Sequence, residues 1–229
     1  MNYLRSVLVH LRKDLRLEWR SREAINGVLF FSLLVVVVFS LAFDPTANPT
    51  LARQISGGVL WVALLFASVT ALNQSWVREQ RNQVLDAQRM APAAASALFL
   101  GKALANLLFV TVVELVLGPV FAVFYNLHPL GNVSLLLEIV PLGTWALVVN
   151  GTFFAALGMR ARSRELLLPL LLLPITLPAL LAMVQATTGV MMADLDPIQI
   201  ANWIKMLAGY DVIFTTVCLV LFETVLQAE

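Results

Sequence analysis

Residues 25–43 read INGVLFFSLLVVVVFSLAF, an uncharged run bounded by Glu23 on one side and Asp44-Pro45 on the other. About 20 predominantly apolar residues in helical form cross the hydrocarbon core of a bilayer, so this run is long enough to span. Five further stretches of the same kind follow, at 55–72, 98–125, 139–157, 166–184 and 207–226. The third is long enough to tilt or bend, with Gly118-Pro119 as the expected bend. Composition agrees: 60% of the chain is hydrophobic and 13% charged, against about 45–50% and about 25% in ordinary soluble domains. The expected fold is an all-α membrane protein of six transmembrane helices, forming one domain over residues 1–229. The long apolar run beginning near Ile25 reads as a first span rather than a signal peptide. The single cysteine, Cys218, lies in an apolar run, where it packs as a small hydrophobe.

Orientation follows from lysine and arginine, which concentrate on cytoplasmic loops. Arg5, Arg12, Lys13, Arg16, Arg20 and Arg22 precede the first span. Arg78, Arg81, Arg89 and Lys102 cluster between the second and third, and Arg160, Arg162 and Arg164 between the fourth and fifth. Of the 15 lysines and arginines, only Arg53 and Lys205 fall on the other side. Both chain ends are therefore expected in the cytoplasm. The net charge of +1 offers no basis for nucleic-acid binding. In the last outer loop, Asp196 suits a helix N-cap and Pro197 a first helical position. A short interfacial helix anchored by Trp203 is expected there.

Residues 1–24 form a segment of another kind. Leu4, Leu8, Leu11, Leu15 and Trp19 recur at helical spacing, and Arg5, Arg12, Lys13, Arg16 and Arg20 fall opposite. A basic amphipathic helix of this type lies in the membrane interface. Glu18 points into the apolar stripe. It can pair with Arg22 four residues on, or it can meet a partner subunit.

Acidic groups inside a membrane are costly and face partners or water. Glu114 lies in the third span, where it either packs against a polar helix or lines a substrate path. Asp211 and Glu223 are placed at the two ends of the sixth span, where interfacial water hydrates them. Pro169, Pro174 and Pro178 loosen the fifth span. Catalytic and nucleotide-binding signatures are missing, including the phosphate loop G-x-x-x-x-G-K-[ST]. His10 has no second ligand near it; His128, in a loop near the membrane surface, could ligate haem iron axially, but no other haem signal accompanies it, and no catalytic residue, cofactor or metal site is expected.

Residues 73–97 between the second and third spans are helix-prone, mixed in charge and stopped by Pro92. With the amphipathic start and six spans, this layout resembles exporter-type ABC permeases. Arg78, Glu79, Arg81, Leu85, Pro92, Gly101 and Lys102 follow the loop pattern of that class. Gln83 and Asp86 depart from its usual glycine and glutamate. The resemblance implies a coupling helix whose contacts with a separate ATPase include Arg78, Glu79, Arg81, Leu85 and Asp86.

A closer resemblance covers the whole chain. DLRLEWR at 14–20, GVLWVALLFA at 58–67, GKALAN at 101–106 and LLPLLLLPITLP at 167–178 are similar, in that order, to the CcmB permease family. That resemblance implies a permease subunit of haem export in c-type cytochrome biogenesis, in the bacterial inner membrane. It implies a CcmA-like ATPase and CcmC-like and CcmD-like membrane subunits as partners, with membrane lipid around them. Haem is the candidate cargo, and a homodimer within the complex is a candidate assembly. Two other readings stand beside it: an ABC permease for a glycan, lipid or drug, and a membrane assembly scaffold that transports nothing. Glu18 and Glu114 are the candidates for a partner contact or a substrate path.

Overall fold

A computed structural model describes residues 3–20, 22–81, 94–127, 133–159, 164–192 and 197–227. All the regular structure among them is helical: α1 (Tyr3–Arg20), α2 (Arg22–Phe43), α3 (Pro49–Arg81), α4 (Ala95–Phe124), α5 (Val133–Gly158), α6 (Arg164–Met192) and α7 (Pro197–Gln227). The last six contain stretches long and apolar enough to cross a membrane. They correspond one to one with the six runs read from the sequence. Apolar residues such as Leu41, Leu115 and Val123 are well exposed on their outer faces. A surface of this kind suits hydrocarbon rather than water.

Three elements extend furthest beyond their apolar runs. α3 does not stop near Leu72 but continues unbroken to Arg81. Positions 73–81, expected in a separate cytoplasmic helix, are thus the last turns of the second span. α6 runs through all three of its prolines to Met192, and α7 begins at Pro197. The expected long outer loop with an interfacial helix is replaced by a short connection between two continuous helices. Pro197 does stand at the first helical position, as its missing N–H allows. Helix propagation explains these extensions: once a helix is nucleated, each further residue adds a hydrogen bond whether or not its side chain is apolar.

The turn expected at Asp44-Pro45 is present. Asp44 takes a left-handed backbone, φ 39°, and its carboxylate accepts from the Thr46 hydroxyl at 2.6 Å and the Ala47 amide at 3.2 Å. Those hydrogen bonds hold the exposed carboxyl below its ordinary range, the Thr46 hydroxyl contributing most.

α5 is the central helix. Every residue from Ala146 to Ala156 is buried, against α3, α4, α6 and α7. A helix apolar on all sides, with Asn150, Gly151 and Thr152 at its middle, suits such a position. Gly143 lets the Trp61 ring lie against the α5 backbone, where a Cβ would collide with it. Polar side chains then tie helices together. The indole N–H groups of Trp61, Trp76 and Trp145 donate to the Thr187 hydroxyl, the Thr152 carbonyl and the Thr215 hydroxyl at 2.8, 3.0 and 2.9 Å. Asn150 donates to the Tyr210 hydroxyl at 3.2 Å, and Tyr210 donates to the Ile175 carbonyl at 3.0 Å. The pairs 145 with 215 and 150 with 210 set α5 and α7 antiparallel.

Candidate functional site

Charged side chains from α1, α3 and α4 meet where the second span ends and the third begins. The crossing starts at Gly101 of α4. A Cβ there would lie 2.7 Å from the His10 Cβ and 2.9 Å from the Val7 carbonyl. Only a glycine lets α1 sit this close. The α1 face turned to the bundle is not the leucine stripe. Ser6, Val7, Asp14 and Glu18 are buried there, while Leu4 and Leu8 remain exposed.

Lys102, next to Gly101, is almost fully enclosed. Its ammonium lies 2.8 Å from the Glu79 carboxylate and 3.3 Å from that of Asp14. It also donates to the Ser75 hydroxyl at 3.2 Å and stands 4.7 Å over the centre of the Trp76 ring. Lys13 reaches the same carboxylates, Glu79 at 2.6 Å and Asp14 at 3.2 Å. Arg78 pairs with Glu18. Among the described residues, the cations Lys13, Arg78 and Lys102 thus face the anions Asp14, Glu18 and Glu79. Removing one member of such a buried set leaves a bare charge at a cost of about 3–5 kcal/mol. The network therefore fixes the seat of α1 on α3 and α4 far more narrowly than apolar contact alone.

Local electrostatics follow from burial and these pairings. Burial lowers the Lys13 ammonium, but Glu79 and Asp14 outweigh it and hold the group above its usual value. Burial raises the Glu18 carboxyl, and Arg78 offsets this only in part. The His10 imidazole, half-buried at the crossing, is held below its usual value by burial and then by Lys13.

Several sequence-based expectations change here. Glu18 is met by Arg78, sixty positions away, and the side chain of Arg22 lies outside the described residues. Lys13, expected on the hydrated face of α1, turns inward to Glu79. Arg78 and Glu79, expected on a coupling helix, lie on α3, and Glu79 is buried within the chain. Arg81 is the last residue of α3. Leu85 and Asp86 lie outside the described residues, as does His128. Asp14, Ser75 and Trp76 were missed as members of this site. Asp14 and Glu18 share a face four residues apart, and Lys102 interrupts an apolar run, so a weak signal was present.

The intramembrane acids separate. Glu114 accepts from the Thr144 hydroxyl of α5, a polar neighbour within the same chain. Asp211 does not begin a span: it lies in the middle of α7 and is buried, not interfacial. Neither of its carboxylate oxygens has a hydrogen-bond partner among the described residues. Glu223 is exposed and accepts from Gln227 at 3.2 Å.

A six-span helical bundle with a charged joint at one end defines a polytopic α-helical membrane protein. Sequence comparison gives the family: the chain matches CcmB protein over residues 5–227 and belongs to it. It is 34% identical to heme exporter protein B of Rhodobacter capsulatus over 75% of this chain and 77% of that protein. It is 30% identical to heme exporter protein B of Bradyrhizobium diazoefficiens, over 81% and 82%. With the protein of that name from Pseudomonas aeruginosa it shares 30% identity over 75% of each chain.

Proposed function

We propose that this chain is the permease subunit of a haem export system serving c-type cytochrome biogenesis, working with a separate ATPase. The observation that carries this reading is the family match across nearly the whole length, with relatives named heme exporter protein B. Haem as cargo, a CcmA-like ATPase, CcmC-like and CcmD-like subunits and a homodimer all belong to the same reading. So do location in the bacterial inner membrane and cytoplasmic placement of both ends, which the lysine and arginine asymmetry supports.

The charged joint suits a partner-driven machine. α3 leads from the Lys102 cluster directly into residues 82–93, and the ATPase docks on that loop through Leu85 and Asp86. Force on the loop then reaches α1 and α4 through Arg78 and Glu79. Glu79 acts as an internal strut, so reversing its charge would disrupt folding and docking together. Leu85→Asp with Asp86→Arg is the cleaner test. In a bacterium deleted for its own copy, the wild-type chain should restore c-type cytochromes and co-purify with the ATPase. The double variant should insert normally yet lose most of the co-purifying ATPase. Undiminished co-purification would remove the docking role, and absent complementation by the wild type would remove the haem-export reading.

A further inference from the structure

A cavity of about 380 Å³ lies between α1, α2 and α4. Leu15 and Glu18 of α1, and Ile25 and Leu29 of α2, form one side. Phe109 and Val113 of α4 form its buried floor. Ser40 donates to the Phe124 carbonyl at 3.5 Å, and Ile25 and Leu29 share the cavity with Phe109 and Val113, so α2 and α4 run parallel at a fixed offset. The same offset sets Ile25 and Leu29 level with Phe109 and Val113. The cavity therefore lies within the spanning part of the bundle. Leu108, Val112 and Leu115 at its rim are exposed, which opens it sideways toward lipid.

We propose that this groove holds one acyl chain of a phospholipid, whose headgroup rests against the basic outer face of α1. The walls are almost wholly apolar, and such a cavity does not hold water well. Left empty, its lining would forfeit dispersion contacts along its length. The groove opens sideways among apolar side chains on the outer face of α4, where bilayer hydrocarbon lies against it. A flexible hydrocarbon chain entering from the bilayer fits the remaining space. Glu18 closes the end of the groove as an ion pair with Arg78, so it presents no free carboxylate to repel an anionic lipid. Arg12 and Arg16 are exposed on α1 within a turn of Leu15. Basic residues at this level attract anionic headgroups.

The test uses the full chain, reconstituted in vesicles of phosphatidylethanolamine and phosphatidylglycerol, extracted into mild detergent and weighed by native mass spectrometry. The wild type should retain one phospholipid per chain through washing. Thr111→Trp, which fills the groove, should lower retention at least fivefold. Leu108→Trp acts at the exposed rim and does not crowd the core, and it should do the same if the first variant folds poorly. Arg12→Glu with Arg16→Glu should abolish any preference for phosphatidylglycerol over phosphatidylethanolamine. Three results would overturn the proposal: no retained lipid on the wild type, equal retention by the filled variants, or a retained peptide or porphyrin displaced by them.

Discussion

Lys102 shows how much one side chain can determine in a low-dielectric setting. It is enclosed, yet it meets two carboxylates, a hydroxyl and an indole face. Lys102→Met keeps much of the volume and removes the charge, which takes from Asp14 and Glu79 the most deeply enclosed of their cations. The expected loss is about 3–5 kcal/mol, read as a lower unfolding temperature in detergent. An unchanged midpoint would mean the cluster is not ionised as drawn. Gly101→Val tests the helix crossing. Overpacking at such a contact costs about 1–3 kcal/mol, and the α1 amides should then exchange with deuterium faster. His10 adds a pH dependence. Its folded value lies below the ordinary 6.5, so the unfolded chain holds the proton more tightly. The seat of α1 is therefore fully stable above pH 6.5 and weakens as pH falls through that value toward the folded one. His10→Gln should flatten this difference between pH 7.5 and pH 5.5.

Among the elements, α3 departs furthest from its apolar run. Its last turns carry Asn73, Gln74, Arg78 and Glu79, a composition that reads as loop or surface helix. They stay in the spanning helix because Trp76 and Glu79 are buried against other helices. Trp76 donates to the Thr152 carbonyl, and Glu79 is held by two lysines. Amides 75–79 should therefore show slow hydrogen exchange, comparable to 60–65. Exchange as fast as at an open loop would mean that α3 ends near Leu72 after all. α6 makes the opposite point. Three prolines remove backbone donors, yet the helix continues to Met192 within the packed bundle, where Tyr210 of α7 donates to its Ile175 carbonyl.

For the whole molecule the expected arrangement is six crossings with both ends on one side. Reporter fusions after Glu229 and near Asn132 should report cytoplasm and periplasm respectively. A periplasmic signal at the C-terminus would break the assignment. The isolated chain should hydrolyse no ATP, since its sequence contains no phosphate loop. Turnover by a preparation free of contaminating ATPase would contradict this.

The number and approximate position of the spans were legible in the chain, because membrane insertion is a one-dimensional problem. A run of apolar side chains either satisfies the length of the hydrocarbon core or it does not. The amphipathic character of α1 was legible for the same reason, as a periodicity within one helix. What faces what was not. Glu18 has Arg22 four residues away, and local spacing favours that pair. Only the fold brings Arg78 to it from α3, and Lys102 to Asp14 and Glu79. Asp211 reads as the start of a span, where water would reach it, because hydropathy rises only after it. Packing of α7 against α5 and α6 extends the helix to Pro197 and leaves that carboxylate in the middle, enclosed. Charge pairing depends on distance in space and on burial, and both are properties of helices packed together rather than of any one run of residues.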